Sequence, residues 1–172
     1  RADAAYVLVR RMETHELYIV AEDLAESLAS VPAGRPGESG TLGPFEKVAT
    51  VAGADLVGST YECPWMLPTE ERFLMNAPFV TTDAGTGIVH MAPAHGQEDY
   101  EVWRDAGFLT KYGLKSPVDA LGRLVTDASW GLNDVIRADV ARLHGLEALG
   151  DGTERLLQLL DAHSVLLSER PY

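Results

Sequence analysis

Two β-branched and aromatic runs, Tyr6-Val7-Leu8-Val9 and Leu17-Tyr18-Ile19-Val20, open the chain, with the polar stretch Glu13-Thr14-His15-Glu16 between them. Stiff, branched side chains favour extended backbone, and a short polar connection favours antiparallel return, so the pattern predicts a hairpin. Helix signals then begin. Ala21 to Ala29 carries Leu24 and Leu28 four residues apart, the spacing of one helix face. Pro32 to Pro44 is rich in Gly, Pro and Ser and reads as a surface loop. Phe45 to Ala52 alternates loosely through Val48 and Val51 and reads as a further strand. From Gly53 to Pro78 no period holds, and Pro64, Pro68 and Pro78 forbid a long helix there.

Downstream, Phe79 to Thr82 and Ile88 to Met91 read as short strands around a Gly85-Thr86-Gly87 turn. Gly96 to Ala106 is a helix closed by Gly107. Leu121 to Thr126 reads as a strand. Asn133 to Leu149 reads as a helix with Asn133 as N-cap, and Thr153 to Ala162 as an amphipathic helix. Val165 to Ser168 is read as a closing strand. Strands and helices do not alternate as repeated βαβ units, so the fold class is α+β.

The 172 residues suit one domain with its own core. No apolar run is long enough to span a bilayer, and the start lacks the layout of a signal peptide. Cys63 is the only cysteine, which excludes an internal disulfide and a cysteine-based zinc cluster. A formal net charge of -12 argues against a broad phosphate-binding surface, which needs clustered Lys and Arg. Any contact with nucleic acid is expected to be small, such as one strand end.

Chemistry concentrates between Asp83 and Tyr100, in Asp-Ala-Gly-Thr-Gly-Ile-Val-His-Met-Ala-Pro-Ala-His-Gly-Gln-Glu-Asp-Tyr. Gly85 and Gly87 permit positive φ and close approach of a ligand to the backbone. His90 follows two apolar residues, Pro93 breaks the chain, and Asp99 falls in the first turn of a helix. His90, His95 and Asp99 are expected to converge on one pocket. Taken as residues alone, each also has a plain structural reading. A Gly-Thr-Gly turn serves many loops, an aspartate near a helix start is favoured by the macrodipole, and His90 serves equally as a hydrogen-bonded core histidine. No Ser-His-Asp order, phosphate loop or metal-ligand spacing is present.

The stretch Gly85 to Tyr100 resembles the signature of the editing domains in class I aminoacyl-tRNA synthetases for isoleucine, valine and leucine. These share a glycine-threonine-glycine turn, a Pro-Ala loop and a downstream aspartate. His90 after Ile88-Val89, and Gly96 after His95, resemble the isoleucyl branch of bacterial or mitochondrial type. The valyl branch usually has lysine and aspartate at those two places, and the leucyl branch methionine and aspartate. Weaker likeness extends through Tyr6 to Val9, Glu22-Asp23-Leu24, Gly58 to Trp65, Tyr112-Gly113-Leu114, Pro117 to Gly122 and Leu166 to Tyr172. The region Gly145 to Thr153 is longer than usual for that family.

The resemblance implies a compact, β-barrel-like editing domain with peripheral helices, spanning 1–172 and excised from a larger synthetase. It implies hydrolysis of the aminoacyl ester of valyl-tRNA(Ile), with Asp99 and His90 as catalytic residues. Asp99 would pair with the substrate's α-ammonium, and His90 would gate side-chain size or position water. Gly85, Thr86, Gly87, Ala92, His95 and Gly96 would bind substrate. It implies no cofactor and no metal. The implied partners are the acceptor end of isoleucine tRNA carrying valine and the remaining synthetase domains, in the bacterial cytoplasm or the mitochondrial matrix, with no membrane. The family's threonine-rich strand, with a Thr-Thr-Pro-Trp-Thr core, precedes the residue equivalent to Arg1 and is not in this sequence, so the isolated chain is expected to be weak or inactive. Pro64-Trp65-Met66-Leu67-Pro68 looks like that strand but lies in the wrong place and is read as structural. The alternatives are an editing domain for valine or leucine tRNA, or a non-catalytic module that binds a tRNA acceptor end.

Overall fold

A computed structural model of the chain describes residues 1–34, 39–63, 72–127 and 132–169. The described residues fall into two compact units. The first draws on 1–60, 73–90 and 167 onward, and the second on 61–72 and 91–166.

The first unit is organised by β1 (Ala5–Arg11), which pairs antiparallel with β2 (Leu17–Ala21) on one edge and β3 (Phe45–Ala52) on the other. The sheet order is β2-β1-β3. The expected hairpin is present: Arg11 N–H donates to Glu16 O at 2.8 Å, and His15 N–H returns to Arg11 O at 2.8 Å. Pairing of β1 with β3 shifts between Leu8 and Val9, so Leu8 opposes Ala49 and Val9 opposes Lys47. Val48 is the extra residue, and such a bulge bends its strand. A 3-10 turn at Glu22–Leu24 leads into α1 (Ala25–Ala29), and the short helix α2 (Gly53–Leu56) follows β3. Tyr6, Val7, Val9, Val20, Ala21, Leu24, Leu28, Val31 and Leu42 form one buried cluster. Arg11 is buried beside them, with its guanidinium 3.2 Å from the exposed carboxylate of Glu13.

The second unit is helical, with α3 (Gln97–Asp105), α4 (Phe108–Tyr112), α5 (Asp134–Ala141) and α6 (Asp151–Ala162). The Asn133 side chain accepts from Ile136 N–H at 3.2 Å, the expected N-cap of α5. Ile136, Val140, Leu143 and Leu159 form its core, flanked by Leu124, Leu132 and Leu146. Trp103, Phe108 and Tyr112 pack as tilted rings, with centroids 5.1 to 5.9 Å apart. Among the described residues no helix is long and apolar enough to cross a membrane.

The α+β class holds, with an open three-stranded sheet among the described residues rather than a closed barrel. Four expected strands are corrected. Phe79–Thr82 and Ile88–Met91 are irregular. Ile88 and Val89 are exposed at 39% and 55%, so that run lines no core and takes no strand partner. Leu121–Thr126 contributes only single bridges, Val118 with Leu124 and Arg123 with Glu147. Val165–Ser168 is irregular, and its Leu167 O accepts from Gly34 N–H at 3.0 Å. The helix expected from Asn133 to Leu149 stops at Ala141, and the positive φ of Gly145 ends the turns beyond it. Helix α4 was not foreseen. The expectation for Pro64–Pro68, and the 35–38 part of the Pro32–Pro44 loop, lie outside the described residues.

The two cores are built from different segments and are expected to respond separately. Leu42 and Ile136 are both 0% exposed. Leu42→Ala and Ile136→Ala should each cost about 2–5 kcal/mol, the range for large-to-small changes at such sites. Hydrogen exchange should rise in the three strands for the first and in α5 and α6 for the second.

Candidate functional site

The Gly85-Thr86-Gly87 turn belongs to the first unit and is docked on the sheet from two sides. Ala21 N–H, at the end of β2, donates to Thr86 O at 2.9 Å. The Tyr6 hydroxyl, on β1, donates to Gly87 O at 3.0 Å and accepts from the backbone nitrogen of Arg1 at 2.9 Å. Burial pushes the Tyr6 phenol above its ordinary pKa, so it stays protonated as a donor. The Thr86 hydroxyl closes the turn locally, donating to Ile88 O at 3.1 Å and accepting from Ile88 N–H at 3.3 Å. Gly85 and Gly87 have φ of 68° and 72°, the left-handed region expected of them. Gly87 carries a further demand, because a Cβ there would lie 2.6 Å from the Ala21 Cβ. Any larger residue would push the turn off β2.

His90 ends the same segment and is exposed. It makes no hydrogen bond among the described residues, which removes the reading of a hydrogen-bonded core histidine.

The Pro-Ala loop and Asp99 belong to the second unit. Asp99 is the third residue of α3, and its Oδ2 accepts from Ala92 N–H at 2.8 Å. Ala92 O in turn accepts from His95 N–H at 2.8 Å and from Gly96 N–H at 2.9 Å. Ala92 is thus held through both its polar groups, and Pro93 and Ala94 form the crest of a closed turn. Gly96 precedes the helix, and a Cβ there would meet Asp99 Oδ2 at 2.8 Å. The absence of a side chain at 96 therefore gives the carboxylate room to fold back onto Ala92. Asp99 is half-buried, and its Oδ1 makes no hydrogen bond among the described residues. A negative charge in the first turn is also favoured by the helix dipole, by roughly 0.3–1 kcal/mol.

His95 is exposed, with Nε2 3.3 Å from Ser116 Oγ. The Ser116 hydroxyl donates to Val118 O at 2.8 Å, so it serves as the acceptor from His95. Nearby, Asp119 Oδ1 accepts from Leu121 N–H and Arg123 N–H, both at 2.9 Å, and the Arg123 amide bond is the chief cause that lowers the Asp119 pKa.

The expected site residues therefore divide between the units. Gly85, Thr86, Gly87 and His90 fall in the first, and Ala92, His95, Gly96 and Asp99 in the second. Tyr6 and Ser116 were not foreseen as supports of these loops. Tyr6 carried one usable signal: a tyrosine in a strand core needs a partner for its hydroxyl.

Comparison with known proteins supplies the class. The fold resembles the solved chain GlLeuRS-CP1, a leucyl-tRNA synthetase CP1 domain, with a TM-score of 0.60 at 20% identity, over 99% of this chain and 76% of that one. The likeness shows the fold, the α+β fold of a CP1 domain.

Sequence places it more narrowly. The chain is 37% identical over 98% of its length to the isoleucine–tRNA ligase of Thermosynechococcus vestitus. The match to the ligase of Gloeobacter violaceus is 36% over 97%, and to that of Gloeothece citriformis 34% over 92%. The chain is therefore homologous to a segment of the isoleucine–tRNA ligases. It spans only 14% to 15% of the length of these relatives. No protein-family model matches it.

Two local outcomes check the geometry. Gly96→Ala should displace the Asp99 carboxylate from the Ala92 amide, read as an upfield shift and faster exchange of the Ala92 N–H. The Asp119 carboxyl should titrate below the ordinary aspartate range, because the Arg123 and Leu121 amides bond to its charged form. A depressed carboxylate stabilises the fold above its unfolded pKa and loses that contribution as pH falls through its folded pKa. The Leu121 and Arg123 amides should therefore lose protection only below the ordinary carboxylate range, relative to the intrinsic rates.

Proposed function

We propose that this chain is an editing domain that hydrolyses the ester of valine wrongly attached to isoleucine tRNA, acting as one part of a longer isoleucine–tRNA ligase. The observation that carries the reading is the match to isoleucine–tRNA ligases over 92% to 98% of the chain. The chemistry requires such a second site. Valine and isoleucine differ by one methylene, which a single apolar pocket separates poorly; isoleucyl-tRNA synthetases are themselves the standard example of this limit, at about 150-fold.

In this reading the editing site admits valine, excludes isoleucine and sets water at an ester carbonyl. Asp99 uses Oδ2 to hold the Ala92 loop and offers Oδ1 to the substrate's free α-ammonium. A carboxylate–ammonium bond is charge-assisted and fixes the ester for attack. By resemblance, Ala92, His95 and Gly96 of the second unit are assigned to the aminoacyl group, and Gly85 to Gly87 of the first unit to the terminal adenosine. His90 borders the side chain and sets the size limit. An aminoacyl ester is already activated, so positioning and electrostatics suffice without a protein nucleophile, metal or other cofactor. With a net charge of -12, the chain has little attraction for phosphate, so its contact is limited to an acceptor end and the tRNA body is left to other parts of the ligase.

The test is release of labelled valine from mischarged isoleucine tRNA, measured in the full-length protein. Asp99→Ala is expected to slow it by roughly one to two decades or more, the worth of a charge-assisted bond of about 1.5–3 kcal/mol. Activity within twofold of wild type would reject the assignment. A wild-type protein that binds the charged end without turnover would instead be a binding module.

His90→Ala separates gate from base. A size gate predicts that isoleucyl-tRNA(Ile) becomes a substrate while valine release is partly kept. A parallel fall of both activities would make His90 a catalytic base instead.

A further inference from the structure

The Thr86 hydroxyl closes the Gly-Thr-Gly turn locally but does not fix it against the sheet. Two residues at positive φ, both glycine, have wide backbone freedom, so the placement of the turn needs bonds from outside it. The first clamp is Ala21 N–H on Thr86 O, which fixes the peptide between Thr86 and Gly87. The second is the Tyr6 hydroxyl on Gly87 O, a buried bond across 81 residues of sequence, which fixes the peptide between Gly87 and Ile88. Both peptides flanking the Gly87 Cα are therefore pinned. In a trans peptide the N–H points opposite to the preceding C=O. With Thr86 O turned toward β2, the Gly87 N–H is turned away from it, and it meets no acceptor among the described residues. A backbone N–H that meets no protein acceptor is a donor left open to a ligand.

We propose that Tyr6 is a positioning residue: its hydroxyl, with the Ala21 amide, holds the Gly87 N–H as a preset donor for an acceptor atom on the terminal nucleoside of the substrate. The assignment rests on the editing role proposed above. Tyr6 does not touch the substrate. It acts through the turn, so its loss should weaken capture of the nucleoside and spare the hydrolytic step at the ester.

The experiment compares three variants with wild type in the full-length protein. Tyr6→Phe keeps the buried ring and removes only the hydroxyl. Gly87→Ala attacks the same docking from the other side, since its Cβ would lie 2.6 Å from the Ala21 Cβ. Val9→Ala, equally buried on the same strand but without a bond to the turn, controls for loss of stability. Three quantities are read: kcat and KM for valine release from mischarged isoleucine tRNA, affinity for a non-hydrolysable valyl-adenosine analogue, and hydrogen exchange at Ala21 and Ile88.

Tyr6→Phe should raise KM and the analogue's Kd by about five- to tenfold, as expected for one ordinary hydrogen bond, with kcat held within about twofold. Exchange at Ala21 should rise, and Val9→Ala should leave KM unchanged. If Tyr6→Phe does not fold, Gly87→Ala decides: a raised KM supports the clamp and an unchanged one overturns it. Equal kinetic constants in Tyr6→Phe and Val9→Ala would reduce Tyr6 to a core residue. If wild type neither hydrolyses the mischarged tRNA nor binds the analogue, the editing role fails by itself. Exchange then decides for Tyr6: faster exchange at Ala21 supports the clamp, and unchanged exchange overturns it.

Discussion

Much of the first unit depends on β1 having a hydrogen-bonded neighbour on both edges. A central strand satisfies its backbone groups twice over and can therefore be buried almost along its length. Tyr6, Val7, Val9 and Arg11 are all buried, and only Ala5 among its seven residues is exposed. The helical turn after β2 and the loop around Leu42 close over this strand. The Gly-Thr-Gly turn docks where β1 begins and β2 ends, so the turn inherits its position from the sheet.

The second unit solves a different problem. An aspartate at a helix start is common, but here the carboxylate reaches back to Ala92 instead of capping its own helix. The bond needs Gly96 to lack a side chain and needs Ala92 O to gather two amides in the same turn. One carboxylate oxygen is structural and the other is free for a cation. Loop geometry and chemistry are thereby tied to a single residue, so changes at Asp99 are best compared with changes at Gly96 to separate the two effects.

The pairing of β1 with β2, the strand β3, the helix after Gly96 and the cap at Asn133 were all legible from local signals. Each depends on neighbours in sequence: branched runs around a polar connection, a glycine bound, an amide side chain before an apolar period. The misread strands share a cause. Phe79–Thr82, Ile88–Met91, Leu121–Thr126 and Val165–Ser168 have strand composition, but a strand exists only where a partner edge is within reach. Ile88 and Val89 face solvent, and the Leu121 run makes isolated bridges. The chemical stretch from Asp83 to Tyr100 was recognisable by its residues, whereas its division between two units was not.

Sequence by itself determined the α+β class, the hairpin, the positive-φ glycines at 85 and 87 and the kinship with a segment of the isoleucine–tRNA ligases. These follow from steric preferences and from a run of residue types that is specific as a string. Only the tertiary structure decided that Tyr6 binds Gly87 O, that Gly87 has no room for a Cβ beside Ala21, and that Asp99 binds Ala92 across an open Gly96. The first two join residues more than sixty positions apart. All three depend on distances of a few tenths of an ångström, which hydrogen bonds and close packing require and which no local pattern in a sequence encodes.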